Sequence, residues 1–384
     1  MFLIMNAKDY FFLGLFTPHS GDRKTLQTQL NWTLRITVAL CFIGHGTWGL
    51  ITKSGWLPFF FSQGIEGELA WTLQRMIGAF DIGMALLLLW RPNRAILLWM
   101  FLWALWTAIL RPLAGNLELL EVYELTSEEI KSLTGKHAVP PGSFTTEGPE
   151  GKHVLQRVDP VKQGYERTNE PFVMNLSYQS KEASAEFFGK ISSKERNERW
   201  WVPIRGKAKS EKTQTWEFWE RAGNWGPPFM LLVMGGAFAV RRKDLLGGYK
   251  EPDIKESTID TIFFLCKLCL SFLLIGHAGF GFVVQKPMLE AHWQSIGVNA
   301  DIAFISQIGY AEFALGIMIF LAPIRPLIIL ALAWKLFTEF LYVPADTVSG
   351  MGVVNIFEWI ERWGDYGIPL AMLYILSYRM KKAV

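Results

Sequence analysis

Eight apolar segments, separated by polar stretches, follow one another along the chain. A helix needs roughly 17–25 apolar residues to cross about 30 Å of hydrocarbon, and each segment has approximately this length. They lie at approximately 33–52, 70–90, 95–113, 224–241, 260–284, 302–322, 325–343 and 364–380. The pattern predicts an all-α membrane protein with about eight transmembrane helices.

The apolar pattern contains an internal repeat. The sequence CFIGHGTWG at 41–49 returns as LLIGHAGFG at 273–281, and IGAFD at 77–81 returns as IGYAE at 308–312. Two further blocks recur in the same order, so the chain is a duplicated unit of four helices. An even number of helices returns the chain to its starting side. The two four-helix bundles are therefore predicted to be parallel repeats, related by an axis along the membrane normal.

The repeat divides the chain into four parts. Residues 1–30 form an N-terminal interfacial segment, 31–115 plus 216–245 the first repeat, and 256–384 the second. Residues 116–215 form a polar insert between the third and fourth spans, where the second repeat has only a short link. Within the insert, 118–124 is predicted to prolong a helix, and 172–174 and 199–204 are predicted strands.

Composition and charge agree with a membrane protein. The chain is 51% hydrophobic and 19% charged, and its net charge of +3 is too small to indicate nucleic-acid binding. Its three cysteines exclude a disulfide framework. The lysines and arginines between the spans fall on one side, which the positive-inside rule makes cytoplasmic. Both termini are then cytoplasmic, and the insert is extracytoplasmic.

An imidazole and a carboxyl group occur at corresponding places in both repeats. His45 and His277 lie in the first helix of each repeat, and Asp81 and Glu312 lie in the second. Ionisable side chains within a membrane are costly and mark functional sites by default. A His–carboxyl pair in each repeat would serve proton transfer, quinone head-group binding or haem ligation, with His45 and His277 as the iron ligands if haem is bound. The alternative is a structural hydrogen bond between helices.

Further polar and aromatic residues surround these pairs. Trp103 and Thr107 return as Trp334 and Thr338, four residues apart on one helix face, and Glu339 is an extra carboxyl of the second repeat. This pattern indicates either the wall of a flat-ring pocket or ordinary packing.

One glutamate–arginine pair opens the fourth predicted helix of each repeat. These pairs are Glu220-Arg221 and Glu361-Arg362, and we interpret them first as a helix start with interfacial anchoring. They remain secondary candidates for the pocket.

These residues resemble the motifs of the DoxX/DoxD-like family of small four-helix membrane proteins. The HG-x-x-K/G element corresponds to 45–49 and 277–281, and the G-x-x-E/D-x-x-x-G element to Gly78 through Asp81 and to 309–316. The resemblance implies a helical bundle in a prokaryotic inner membrane. Some members are linked to sulfur-compound oxidation that delivers electrons to quinone, others to oxidant defence. This chain departs from the family in its tandem fusion, its insert, and glycines where a lysine is common.

Three functional hypotheses remain open at this point. The first is a redox-linked membrane subunit with a quinone- or haem-type pocket in each repeat and a protein partner docked on the insert. The second is a non-catalytic assembly or scaffold subunit. The third is a small-solute transporter, for which parallel repeats with midplane carboxyl groups are suited. Whether the protein is an enzyme stays undecided from sequence.

Overall fold

The structure is a computed structural model that describes residues 22–51, 68–114, 212–235, 253–345 and 352–382, with isolated positions between 56 and 65. It also describes the backbone of six strands between 118 and 206. Most of the predicted N-terminal interfacial segment lies outside the described residues. Where side chains are described, the regular secondary structure is helical.

The first repeat supplies three long helices and two shorter ones. They are α1 (Arg23–Ile51), α2 (Glu68–Trp90), α3 (Arg94–Ala114), α4 (Lys212–Glu220) and α5 (Ala222–Met234). The side-chain oxygen of Asn93 accepts a 2.8 Å hydrogen bond from the amide of Ile96, which caps the start of α3. Arg35 donates to the carbonyls of Leu88 and Leu89, the last free carbonyls of α2.

The second repeat has the same order with additional short helices. They are α6 (Glu256–Gly279), a π-helical turn (Phe280–Val284), α7 (Pro287–Gln294), α8 (Ile302–Leu321), α9 (Arg325–Phe340), α10 (Tyr342–Ala345), a 3₁₀ turn (Gly352–Asn355), α11 (Ile356–Glu361) and α12 (Trp363–Lys382). Asp301 caps α8 by accepting from the amide of Phe304.

Six helices of the described residues are long and apolar enough to cross a membrane. They are Arg23–Ile51, Leu69–Trp90, Arg94–Leu113, Glu256–Val284, Ile302–Leu321 and Arg325–Ala345. The chain is thus a multi-pass helical membrane protein. The predicted span at 224–241 runs out of the described residues after 235, and α12, although 20 residues long, is not among the six. The count of eight stays a prediction.

The two repeats contact one another through reciprocal pairs of residues. A Cβ on Gly44 would lie 2.4 Å from the backbone nitrogen of Glu361, and a Cβ on Gly276 would lie 2.2 Å from that of Glu220. Gly276 corresponds to Gly44, and Glu361 to Glu220. Helix α1 therefore packs against the end of α11, and helix α6 packs against the end of α4.

The reciprocity extends along these helices. A Cβ on Gly367 would meet Thr37, and a Cβ on Gly226, its counterpart, would meet Cys269, the counterpart of Thr37. Each of these contacts between corresponding residues therefore occurs twice, once in each direction.

Gly223 and Gly364 are themselves counterparts, and a Cβ on Gly364 would lie 1.9 Å from the carbonyl oxygen of Gly223. These two corresponding residues are therefore in direct backbone contact.

Residues divide into two compact units. One holds residues 1–48, 78–109 and 212–384, which include most of both repeats; the other holds 49–77 and 110–211. The second unit holds a six-stranded antiparallel sheet of order β1-β6-β5-β4-β3-β2. Its strands are β1 (Glu118–Thr126), β2 (Ser143–Gly148), β3 (Gly151–Val158), β4 (Val173–Gln179), β5 (Ser184–Lys190) and β6 (Arg199–Gly206).

The sheet corrects one sequence expectation for the insert. Residues 118–124, predicted to prolong a helix, begin β1 instead, because β1 pairs with β6 at the edge of the sheet. The predicted strands near 172–174 and 199–204 are part of β4 and β6. Glu118 pairs with Gly206, so the insert's two ends lie side by side. Adjacent ends are what allow a domain to be inserted into a connection.

Candidate functional site

Close helix packing brings an imidazole to a carboxyl group in each repeat. A Cβ on Gly46 would lie 2.6 Å from the carbonyl oxygen of Gly78, so α1 and α2 approach to backbone contact. His45, which precedes Gly46, and Asp81, three residues after Gly78, form a hydrogen bond of 2.9 Å between Nδ1 and Oδ2. Small residues at a helix interface permit this approach. The hydrogen bond expected from sequence is present.

The second repeat repeats the geometry. A Cβ on Gly309 would lie 2.8 Å from the carbonyl oxygen of Ala278, which brings α6 against α8. Nδ1 of His277 lies 2.7 Å from Oε2 of Glu312. The π-helical turn Phe280–Val284 starts three residues after His277, and such interruptions are frequent at functional sites.

The tryptophans differ between the repeats. The indole of Trp334 donates a 2.6 Å hydrogen bond to Oε1 of Glu312, so both oxygens of that carboxylate are engaged. In the first repeat Trp103 Nε1 and Asp81 Oδ1 are buried without a hydrogen-bond partner among the described atoms. The Trp103 indole and the Asp81 carboxyl still interact, but at a looser geometry than the bond between Trp334 and Glu312.

The threonines serve their own helices. Thr338 donates its hydroxyl to the carbonyl of Trp334, and Thr107 donates to that of Ala104. Both bonds are local, as is common for hydroxyls within helices. Each threonine lies one turn after its tryptophan on the same helix. The indole of Trp334 hydrogen-bonds the carboxylate of Glu312.

Glu339 extends the second site beyond the predicted pair. Its Oε1 lies 3.6 Å from Nε2 of His277, so the imidazole stands between two carboxylates. Lys335, one turn earlier on α9, forms an ion pair with Glu339 and lies 3.4 Å from Oδ2 of Asp365 on α12. The side chains of this site are all at least nine-tenths buried, namely His277, Glu312, Lys335, Glu339 and Asp365. The first repeat has Ala104 and Ala108 at the positions of Lys335 and Glu339.

The secondary candidates join the site rather than only the membrane interface. Arg362 lies 2.7 Å from Oε2 of Glu339 and 2.6 Å from Oε2 of Glu358, and donates to the hydroxyl of Tyr342 at 2.9 Å. Glu220 lies 4.0 Å from Arg362, within ion-pair range.

The reverse pair, Arg221 with Glu361, is 3.5 Å apart. Interfacial anchoring is thus an incomplete interpretation of these residues, because Arg362 reaches the Glu339 carboxylate and both arginines pair with an acid of the other repeat.

Sequence reasoning missed Lys335, Asp365 and Glu358. It favoured polar residues that both repeats keep inside apolar segments, whereas Lys335 stands opposite Ala104, and Asp365 opposite Asn224. Glu358 does recur, opposite Glu217, but it lies outside the predicted apolar segments. A lysine four residues before a glutamate inside an apolar helix is the signal that would have identified the pair.

A small cavity lies against the site. Its volume is about 20 Å³, and its polar lining comes from His277, His292, Glu312, Thr338 and Tyr342. This is room for about one water molecule. Neither a quinone ring nor a haem fits in such a space. Among the residues that the structure describes, no group of three or more His, Cys, Asp or Glu is placed to hold a metal ion.

Helix α7 covers this cavity. The ring of His292 packs edge-on against Tyr342 with centroids 4.3 Å apart, and Trp293 packs against Trp334 at 6.0 Å. His292 is only 3% exposed, and burial lowers its pKa to about 4. At neutral pH it is therefore an uncharged wall of the cavity.

Comparison with protein-family models, with curated proteins and with solved structures found no match for the chain. The candidate site therefore stands on its geometry alone.

Proposed function

We propose that this chain is an integral membrane protein whose second repeat carries a buried proton-exchange site. The observation that carries the proposal is the imidazole of His277 between two carboxylates, Glu312 at Nδ1 and Glu339 at Nε2. A ring with an acid at each nitrogen takes up a proton on one side and releases it on the other. Intramembrane chains of acids and histidines are the usual proton relays.

The charge balance of the site supports this proposal. Four buried carboxyl groups, Glu312, Glu339, Glu358 and Asp365, face two cationic side chains, Lys335 and Arg362. With a neutral His277, full ionisation would leave an excess of two negative charges in a low-dielectric interior. Uncompensated buried charge is costly. Protons on the imidazole or on a carboxyl group offset it, so the site binds exchangeable protons.

The one-water cavity supplies an entry for the proton. It touches both His277 and Glu312, and a gap of 3.6 Å between Nε2 and Glu339 is longer than a direct hydrogen bond. From Glu339 the ion pairs continue through Lys335 to Asp365. Asp365 lies beside Gly223, where corresponding residues of the two repeats meet.

We further propose that the chain is a DoxX-like tandem of eight spans in a prokaryotic inner membrane, with cytoplasmic termini and an extracytoplasmic insert that docks a protein partner. The reciprocal glycine contacts and the exchanged Arg221–Glu361 and Arg362–Glu220 pairs support two parallel repeats. The adjacent ends of the insert support its placement in a single connection.

A redox-linked reaction is our first hypothesis for what uses the proton. Because the cavity accepts neither a quinone ring nor a haem, no step is assigned to either group. An optical spectrum of the purified protein, oxidised and reduced, together with organic extraction for quinone, tests this hypothesis. A colourless, quinone-free protein would leave the proton-exchange site standing and remove the redox assignment.

The proton-exchange site is tested by infrared pH-difference spectroscopy on the full chain in lipid. Wild-type protein should show a carboxyl band that changes with pH, and His277→Gln and Glu339→Gln should each alter it. His45→Gln is the matched control, because the first repeat has no counterpart of Glu339. An identical carboxyl spectrum in wild type and both second-repeat variants would refute the proposal.

A scaffold role is the second candidate, favoured by the tight contacts between repeats. Gly44, Gly276 and Gly364 each leave no room for a Cβ against the opposite repeat. If the polar residues only lock the bundle, His277→Gln should lower thermal stability in detergent and leave the infrared titration unchanged. A changed titration at unchanged stability would rule against the scaffold role.

A further inference from the structure

An open groove runs along the outside of α2 and α3 in the first repeat. Its volume is about 470 Å³, and Phe80, Leu87, Trp90 and Trp99 supply most of its walls, with Arg91 at one end. Phe80 packs edge-on against Trp99 at 5.4 Å. The volume lies within the range of ligand-binding sites, which are mostly apolar with a few placed polar groups.

The position of the groove fixes its depth in the bilayer. The span Leu69–Trp90 ends at Trp90, and the next begins at Arg94. The turn that carries Arg91 therefore lies at the membrane surface, where exposed tryptophans such as Trp90 are typical. From Phe80 to Trp90 a helix rises about 15 Å, half of the roughly 30 Å hydrocarbon core. The groove spans one leaflet.

The surface end of the groove carries a positive charge, that of Arg91. The guanidinium of Arg91 is exposed and forms no ion pair or side-chain hydrogen bond within the part of the chain that the structure describes. By contrast, Arg94 donates to the carbonyl of Gly235. A single cation at headgroup depth attracts an anionic lipid.

Three residues that line the groove have no similar counterpart in the second repeat. At the positions of Trp90, Arg91 and Trp99 the second repeat has leucine, alanine and leucine. The first repeat lacks the Lys335–Glu339 pair and has the cation and ring walls instead. The two repeats have therefore diverged toward different tasks.

We propose that the groove binds one anionic phospholipid, with its phosphate on Arg91 and an acyl chain along Phe80 and Trp99. The length of one leaflet, the apolar walls and the single cation at headgroup depth together match this ligand. The lipid site is independent of proton exchange at His277.

The proposal is tested by native mass spectrometry of the full chain, released from nanodiscs that contain equal phosphatidylglycerol and phosphatidylcholine. Wild type should retain phosphatidylglycerol preferentially. Arg91→Gln should lower that preference about fivefold, as expected for loss of one surface cation worth about 1 kcal/mol. The control is Arg325→Gln, an exposed arginine at the corresponding turn of the second repeat.

A second variant separates the tail from the headgroup. Trp99→Ala should reduce retention of both lipids, whereas Leu102→Ala, exposed on the same helix but outside the groove, should not. Soluble glycerol phosphate in excess should not displace the lipid. Equal retention of the two lipids, an unchanged preference in Arg91→Gln, or displacement by glycerol phosphate would overturn the proposal.

Discussion

Removing Lys335 from the site around His277 should destabilise the protein far more than removing a surface cation. Lys335 is 0% exposed and touches the carboxylates of Glu339 and Asp365. Lys335→Ala removes the cation beside Asp365 and one of the two cations beside Glu339, which keeps Arg362. Breaking a buried ion pair from one side costs about 3–5 kcal/mol. The comparison is Arg379→Ala, whose partner Asp260 is 68% exposed, where about 1 kcal/mol or less is expected.

The double variant Lys335→Ala/Glu339→Ala separates charge from packing. It places alanine at both positions, as the first repeat has at Ala104 and Ala108. Because it removes both partners, it should be more stable than the sum of the two single losses predicts, by roughly 0.5–3 kcal/mol. Acid should also shrink the single variant's loss, since protonated carboxyl groups no longer need the cation.

The assay is unfolding by SDS titration in mixed micelles, followed by the loss of helix and of tryptophan fluorescence. Lys335→Ala, Glu339→Ala, the double variant and Arg379→Ala are each measured at neutral and at acidic pH. The inferred charge coupling would be refuted by two results together. Lys335→Ala would lose no more unfolding free energy than Arg379→Ala, and the loss of the double variant would equal the sum of the two single losses.

Three further predictions follow from the same contacts. Gly276→Ala should destabilise the protein by about 1–3 kcal/mol in the same unfolding assay, because its Cβ would overlap backbone, whereas Gly83→Ala has open space and should be neutral. Trp334→Phe removes a hydrogen bond to a carboxylate and should cost about 1.5–3 kcal/mol, more than Trp103→Phe; equal losses would contradict the geometry. The pKa of His292 is lowered to about 4 in the folded protein, against about 6.5 in the unfolded chain. Its neutral ring therefore contributes stability that is complete above about pH 6.5 and is lost as the pH falls toward 4, by up to about 3 kcal/mol. Melting curves of His292→Gln against wild type should show this dependence weakened, and an unchanged slope would contradict it.

The hydrophobic pattern predicts those spans whose composition alone marks them as membrane-crossing helices. Six segments have helices of the expected length. Helix α12 differs because neighbouring helices bury most of its length, so it tolerates Asp365 and several tyrosines within a span-length segment. Burial by protein, not contact with lipid, sets its composition, and a hydropathy pattern does not separate the two.

Comparison of the repeats identified the paired residues but not the unpaired ones. His45 with Asp81 and His277 with Glu312 were found because both copies retain them. Lys335 escaped because its counterpart is alanine. Their role in proton exchange stays a proposal, since proximity establishes a hydrogen bond and not its use.

The insert could be located but not folded from sequence. Residues 118–124 contain glutamate and leucine, which favour a helix locally. Pairing with β6, about eighty residues later, overrides that preference. Strand pairing between distant segments is a property of the whole sheet, so short-range propensity does not reveal it.

Nitrogen-15 NMR of the histidine rings in lipid tests the central claim most directly. The account predicts that His277 carries its proton at Nδ1 when neutral, hydrogen-bonded to Glu312, and that it takes up a second proton within an accessible pH range. Glu339→Gln should change the pH response of the His277 signal, and this substitution should not move the His45 signal. A His277 signal that ignores both pH and the Glu339 substitution would contradict the account.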